Sequence, residues 1–313
     1  MRATKLLEKI DNIAKKSAMD SSILTGGTLA EDKADELISL LVKQNDLLSK
    51  VRVDPLNADK GYVNTINVSP RSLRSGDYFD SNTNLTEVTP NSHEYNCVET
   101  VLAFDLKYSV LENIITNATV NNKLDESKAE KQILEEMTKA FANDLADLAW
   151  NGNDGSADNF LKINDGWLQL LIDRGEANIV DITPIGAGEL SDIFSAMMKA
   201  MPTMYRRKDL IKFLLSANAV EDYIDVIQAT SNRILTRQDK LTSRQADIIA
   251  DPYLPADNHV LVDPKDLAMG VSRKMRIDRN DNGRKRAIEY TITMKTDFET
   301  TDDSKIVYAY AVT

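Results

Sequence analysis

Residues 125–152 read DESKAEKQILEEMTKAFANDLADLAWNG. Ala129, Ile133, Met137, Ala140, Phe141, Leu145 and Leu148 recur at helical steps, which puts them on one face of a helix. Ser127 with Glu130 resembles a capping box at its start, and Asn151-Gly152 supplies a stop. A helix over 126–150 rises 1.5 Å per residue and spans roughly 37 Å. That is long for a globular domain, although a bundle or coiled-coil helix gives the same pattern.

Upstream of this helix the chain has a different character. Val98, Val101, Phe104, Leu106, Tyr108 and Val110 read as strand. Before them, Val51 to Asn96 holds short alternating runs such as Tyr62-Val63-Asn64-Thr65-Ile66-Asn67-Val68, punctuated by Gly, Pro, Asn and Ser. This predicts a long β-hairpin or loop with little apolar content of its own. So long a loop in a compact domain normally serves a function or a partner, and here it is expected to lie on a neighbouring subunit. Two helices are expected ahead of it. Leu6, Leu7, Ile10, Ile13 and Ala14 form one apolar face ringed by Lys5, Lys9, Lys15 and Lys16, and Leu37 to Leu48 form the second.

Downstream, helix and strand alternate. Leu190 to Met201 is a helix closed by Pro202, Leu210–Leu215 a buried strand, and Ala219–Ala229 a helix. Ile248-Ile249 and Val260–Val262 are short strands. A hairpin joins Lys274–Ile277 to Ile288–Met294, with a type I′ turn expected at Asn282-Gly283. Ile306–Val312 is the last strand. The fold class is α+β with an extended arm.

Composition removes several function classes. The chain has 313 residues, 38 Lys and Arg against 49 Asp and Glu, and a net charge of −11. An acidic chain lacks the basic field needed to grip nucleic acid over a broad surface, although an acidic inner wall is compatible with enclosing it. Cys97 is the sole cysteine, so neither an intrachain disulfide nor a zinc–cysteine site is expected. His93 and His259 are the two histidines, both beside polar or turn residues and both expected to be solvated. No apolar run reaches the roughly 18 residues of a membrane span, and no signal peptide is visible. There is no Gly-x-Ser-x-Gly elbow, and Gly186-Ala187-Gly188 lacks the Lys-Ser/Thr of a phosphate loop, so no enzyme, cofactor or resident metal is expected.

The order of parts resembles the tailed-bacteriophage major capsid proteins of the Hong Kong 97-type (HK97-like) fold. The long helix resembles that family's spine helix, and Asn151-Gly152-Asn153-Asp154-Gly155 is similar to the turn after it. Met201-Pro202-Thr203-Met204-Tyr205-Arg206, the Leu215-Ser216-Ala217 step and the Pro-rich stretch from Asp251 to Leu267 resemble parts of the family's central lobe. The resemblance implies an N-terminal arm at 1–52, an extended hairpin (the E-loop) at 53–96 and a P-domain at 97–182 with the spine helix at 126–150. An A-domain follows at 183–270, and 271–313 return to the P-domain as a hairpin with its tip at 278–286 and a last strand. It also implies self-assembly into pentamers and hexamers of an icosahedral shell around double-stranded DNA. The partners would be other copies of the chain, a portal protein, and scaffold and decoration proteins. The setting would be the virion, after assembly in the host cytoplasm. Many members lose an N-terminal scaffolding segment; because the sequence starts at Met1, none is expected to be cleaved here. An encapsulin-like nanocompartment, or a tail or decoration protein, are the alternatives.

Residues of interest follow from the resemblance. Lys60, Arg71, Arg74, Arg284, Lys285 and Arg286 are expected at intersubunit contacts. Lys60, Asn282 and Glu289 could supply the Lys–Asn isopeptide, with its assisting carboxylate, that some members form. Asp278-x-Asn280-x-Asn282-Gly283 followed by Glu289 also matches a calcium-loop pattern, but strands flank it and Arg284-Lys285-Arg286 sit inside it, so a turn is the expectation. The acidic run Asp297–Asp303 is expected to be a solvated turn.

Overall fold

The computed structural model describes residues 48–68, 88–110, 126–175, 177–183, 190–206, 210–231 and 241–311. Arg71, Arg74 and the expected N-terminal helices, apart from a turn at Leu48–Lys50, lie outside these residues. Two compact units divide the chain. Among the described residues the first takes in 99–110, 126–141 and 274–295, and the second takes in the rest.

In the first unit, β4 (Val98–Lys107) runs beside β11 (Ala287–Thr300). The Thr100 hydroxyl donates to the Met294 carbonyl at 3.1 Å, and the Tyr108 amide to the Arg286 carbonyl at 3.0 Å. Alternation along β4 buries Thr100 and Leu106 and exposes Glu99, Val101, Ala103, Asp105 and Lys107, as a sheet with one covered face requires. Phe104 stacks on Tyr290 with ring centroids 5.2 Å apart. The partner of β11 on its other side is β10 (Leu267–Asn282), and both long strands run on into the second unit. The helix anticipated at 126–150 is α1 (Glu126–Asn151).

In the second unit, β1 (Arg52–Pro55) pairs in parallel with β10, from Arg52 opposite Ala268 to Pro55 opposite Val271. β2 (Lys60–Val68) and β3 (Val88–Asn96) form a two-stranded antiparallel sheet of their own, Lys60 opposite Asn96 and Val68 opposite Val88. A six-stranded sheet has the order β5 (Asn178–Asp181), β12 (Val307–Tyr310), β9 (His259–Val262), β6 (Lys212–Ser216), β8 (Ala246–Asp251), β7 (Thr242–Ser243). Phe213, Leu214 and Leu215 of β6 are wholly buried, which is why the sequence there is a continuous apolar run. The Ser216 hydroxyl accepts from the Ala219 amide at 3.2 Å and so caps the helix α4 (Ala217–Ser231). Phe194 of α3 (Leu190–Ala200) lies 4.6 Å from Phe213 and 5.2 Å from Tyr223, ring centre to ring centre, tying helices to sheet.

Among the elements not foreseen are β5 and the helix α2 (Trp167–Arg174). α2 is eight residues long, too short for periodicity to stand out, and ends on Gly175 at φ 63°. Its first residue completes an aromatic hub. Trp150 and Trp167 meet edge to face at 5.0 Å, Trp167 and Phe298 at 5.6 Å, and the Trp167 indole donates to the carbonyls of Glu299 (3.1 Å) and Ala268 (3.3 Å). Gly152 ends α1 for a different reason from the one expected. Its φ is not left-handed; a Cβ there would stand 2.3 Å from the Asn164 carbonyl oxygen, because the segment entering α2 crosses directly over it.

The final hairpin also departs from expectation. β10 continues to Asn282, so Asn280 and Asn282 are strand residues and the reversal falls at 283–286. Arg286, with φ 51°, is the left-handed residue there, and Gly283 has no positive φ, so the expected type I′ turn is replaced by a four-residue loop.

Candidate functional site

Two features stand out, one in each unit. The first is the root of the β2–β3 hairpin. Val63 and Tyr95, on the face of the hairpin turned to the body, are wholly buried with Ala268, and Leu56 packs against them. A Cβ on Gly270 would stand 2.8 Å from the Tyr95 ring, so glycine is what lets the ring lie on β10. The Tyr95 hydroxyl donates to Asp54 at 3.2 Å, and its pKa is raised, first by burial and then by the Asp54 charge.

Beside this apolar contact is a buried polar network. The Arg174 Nη2 donates to both carboxylate oxygens of Glu299 at 2.8 and 2.7 Å. Its Nη1 donates to the Thr300 hydroxyl at 3.1 Å, and that hydroxyl donates in turn to Asp303. The second Asp303 oxygen is 3.7 Å from Nη1. His93 Nδ1 is 2.7 Å from the Thr300 carbonyl, which can only accept, so Nδ1 carries the hydrogen. Arg174 Nη1, 3.0 Å from the same nitrogen, is therefore a close neighbour and not a donor to it. The Glu299 and Asp303 side chains are 5% and 0% exposed. Burial pushes the Glu299 carboxyl up to about 7 against the opposing pull of Arg174.

The network extends along β11 and past its end. The Asn96 amide donates to Asp297 at 2.6 Å, the Thr65 hydroxyl to the Thr301 carbonyl at 3.1 Å and the Thr301 hydroxyl to Asp266 at 2.8 Å. Burial raises the pKa of Asp297 and of Asp266 despite these bonds. Thus Asp297–Asp303 is not the solvated turn the sequence led one to expect. Each residue from Asp297 to Asp303 is buried, because hairpin, α2 and β10 surround the segment.

The second feature is the loop at 283–286. Arg284, Lys285 and Arg286 are all exposed. Lys285 is tied down, its ammonium 2.8 Å from Glu289 and 3.6 Å from Asp105. Arg284 and Arg286 form no ion pair among the described residues. Asn280 and Asn282 both point their amide nitrogens at Glu289, at 3.0 and 2.9 Å, so the calcium-like spacing serves a cross-strand lock.

No family model matches the chain. It is 22% identical over 299 residues to a Bacillus subtilis (strain 168) chain, YqbE, that is assigned as a prophage capsid protein; the match covers 88% of this chain and 90% of that one. Among solved structures, it superposes on a chain of the satellite phage P4 procapsid, which includes a size determination (Sid) protein, with a TM-score of 0.64, 15% identity and coverage of 89% and 99%. The capsid of a native GTA particle gives 0.57 at 13% identity, covering 86% and 91%. The chain has the fold of a phage capsid protein. The chain also superposes on a virus-like particle from Pyrococcus furiosus, with a TM-score of 0.51 at 11% identity and coverage of 89% and 98%.

Within the capsid fold, the residues anticipated at contacts are distributed as follows. Asn282 and Glu289 are brought together, with Lys285 on the same carboxylate. Lys60 belongs to the other unit, where it lies 3.5 Å from Glu94 across the hairpin. His93 and His259 are not solvated: His93 is part of the root network, and His259, 1% exposed on β9, has neither ring nitrogen bonded among the described residues. Burial drives the His259 pKa down to about 4. Arg174 was not singled out from sequence, and Glu299 and Asp303 entered only as members of the acidic run Asp297–Asp303. The signal available was an Arg in the last turn of a short helix and a run of acids, neither of which names the other.

Proposed function

We propose that this chain is the major capsid protein of a tailed phage, whose copies assemble into the pentamers and hexamers of an icosahedral shell enclosing double-stranded DNA. In this reading residues 53–96 are the E-loop, 183–270 the A-domain, and 97–182 with 271–313 the P-domain. Portal, scaffold and decoration proteins would be its partners, and the virion its location. The observation that carries the proposal is the β2–β3 hairpin, a ladder of nine residue pairs with no third strand among the described residues. A two-stranded ladder is marginal in water, so a hairpin built this way needs a surface beyond its own root. Tyr62, 60% exposed on it, is a side chain such a surface would cover. Likeness to shell proteins over most of the chain supports the same conclusion.

The test is negative-stain microscopy of the purified chain beside chromatography with light scattering. Closed shells or rings of five or six are expected. A compact monomer at every salt and concentration tried would overturn the proposal. The virus-like particle of the same fold supports a second reading, a nanocompartment with protein cargo. Nucleic acid inside native particles favours the phage shell, and its replacement by protein favours the compartment.

Replacing Arg284 and Arg286 by Ala is expected to leave stability within about 0.5 kcal/mol, since neither side chain has an ion pair within the described chain. Shell yield should fall, with the loss larger at low salt, where exposed charges are least screened. Unchanged yield at low salt would remove the tip loop from the contact set.

A further inference from the structure

We infer that Arg174, Glu299, Asp303 and His93 form a proton-operated latch that closes the root of the hairpin onto the body. Three elements meet there: β3 through His93, α2 through Arg174, and the end of β11 with the turn after it through Glu299 and Asp303. The cluster encloses two carboxylates almost completely and supplies a single guanidinium between them. With both acids ionised and the His93 ring, 3.8 Å from Glu299, in its neutral form, it carries an uncompensated buried negative charge, which is costly in a poorly solvated site. One proton cancels that charge.

The other titratable groups around Glu299 are Asp297, which adds to the negative field, and Tyr95, whose hydroxyl is committed to Asp54. Neither supplies a positive charge. Among the described residues Asp303 Oδ2 has no hydrogen-bond partner, Arg174 Nη1 standing 3.7 Å away, so the network has room for one more hydrogen there. The direction follows from linkage. A buried acid whose pKa is higher in the closed state than in the open one favours closure while the proton is bound. Glu299 lies near 7 when closed, against an ordinary value of 4.5. The latch is therefore tight at mildly acid pH and weakens as the pH rises through about 7.

Because the cluster lies within one chain, the inference stands or falls separately from the shell proposal. It is tested by hydrogen exchange of the full chain at pH 5.5 and 8.5, corrected for intrinsic rates, where light scattering reports one assembly state at both values. Peptides covering 60–65 and 92–96 are expected to lose protection roughly tenfold or more at the higher pH, one factor of ten per pKa unit of linkage. Strands β6 and β9 should not change. Glu299→Gln or Asp303→Asn, each removing one negative charge at nearly constant shape, should flatten the dependence; Arg174→Gln should lower protection at both values. Equal protection of the wild-type root at the two pH values overturns the latch. A pH dependence that persists undiminished in both the Glu299→Gln and Asp303→Asn chains overturns it as well.

Discussion

A chain in which residues 66–90 are replaced by Asn-Gly is expected to fold normally and to form no closed shells. The cut is placed by the hairpin register: Thr65 pairs with Asn91, Val63 with His93 and Lys60 with Asn96, so the substituted turn leaves the root intact. Val63 and Tyr95 keep their places against Ala268, and His93 keeps its contact with Thr300. The described apolar cluster at the root, Val63, Tyr95 and Ala268 with Leu56, lies outside the replaced segment, so its packing is kept. What is lost is the segment that the shell proposal places on a neighbouring subunit. Many weak contacts spread over several neighbours become strong together only when the geometry lets all of them form, and removing one reaching element takes a contact from every neighbour. Electron microscopy of the shortened chain checks this. Normal particles would show that the hairpin is dispensable and that the contacts lie elsewhere.

Trp167→Ala is expected to destabilise the second unit by about 3–5 kcal/mol, the range for removing a large aromatic side chain from a packed core. Trp167 is wholly buried and touches both Trp150 and Phe298. Its indole also joins two strands by donating to Ala268 on β10 and Glu299 on β11, and both carbonyls would lose that donor. Trp167→Phe separates the two contributions. It restores most of the packing and omits the hydrogen bonds, so its cost should be about 1–3 kcal/mol. Urea denaturation followed by far-ultraviolet circular dichroism reads both. A loss under about 1 kcal/mol for the alanine variant would mean the hub is not where the unit is held together.

The contrast between what was and was not legible in the sequence is physical. α1 and the strands β6 and β9 were visible because their burial follows a local period or an unbroken apolar run. The β2–β3 hairpin was visible because its residues alternate in short runs between turn-forming ones. The root network was invisible because its members are far apart: Arg174 and Glu299 are 125 residues apart, and His93 and Thr300 are 207 apart. A run of acids reads as solvated unless its cation is known, and no local pattern points from Asp297–Asp303 to α2. The tip turn was misplaced for a related reason. Asn282-Gly283 has the letters of a tight turn, but Glu289 draws both Asn280 and Asn282 into the strand, and the reversal moves to the residues after them.

The aromatic hub has one more consequence. The chain has two tryptophans, and both are fully buried with their rings 5.0 Å apart. All of the intrinsic indole emission therefore arises from one spot, where α1 ends, α2 begins and β11 passes. Excited at the red edge of the absorption band, the molecule carries its own optical probe, needing no dye and no label. A shift to longer emission wavelength would report water reaching that spot, whether during unfolding, particle assembly or disassembly.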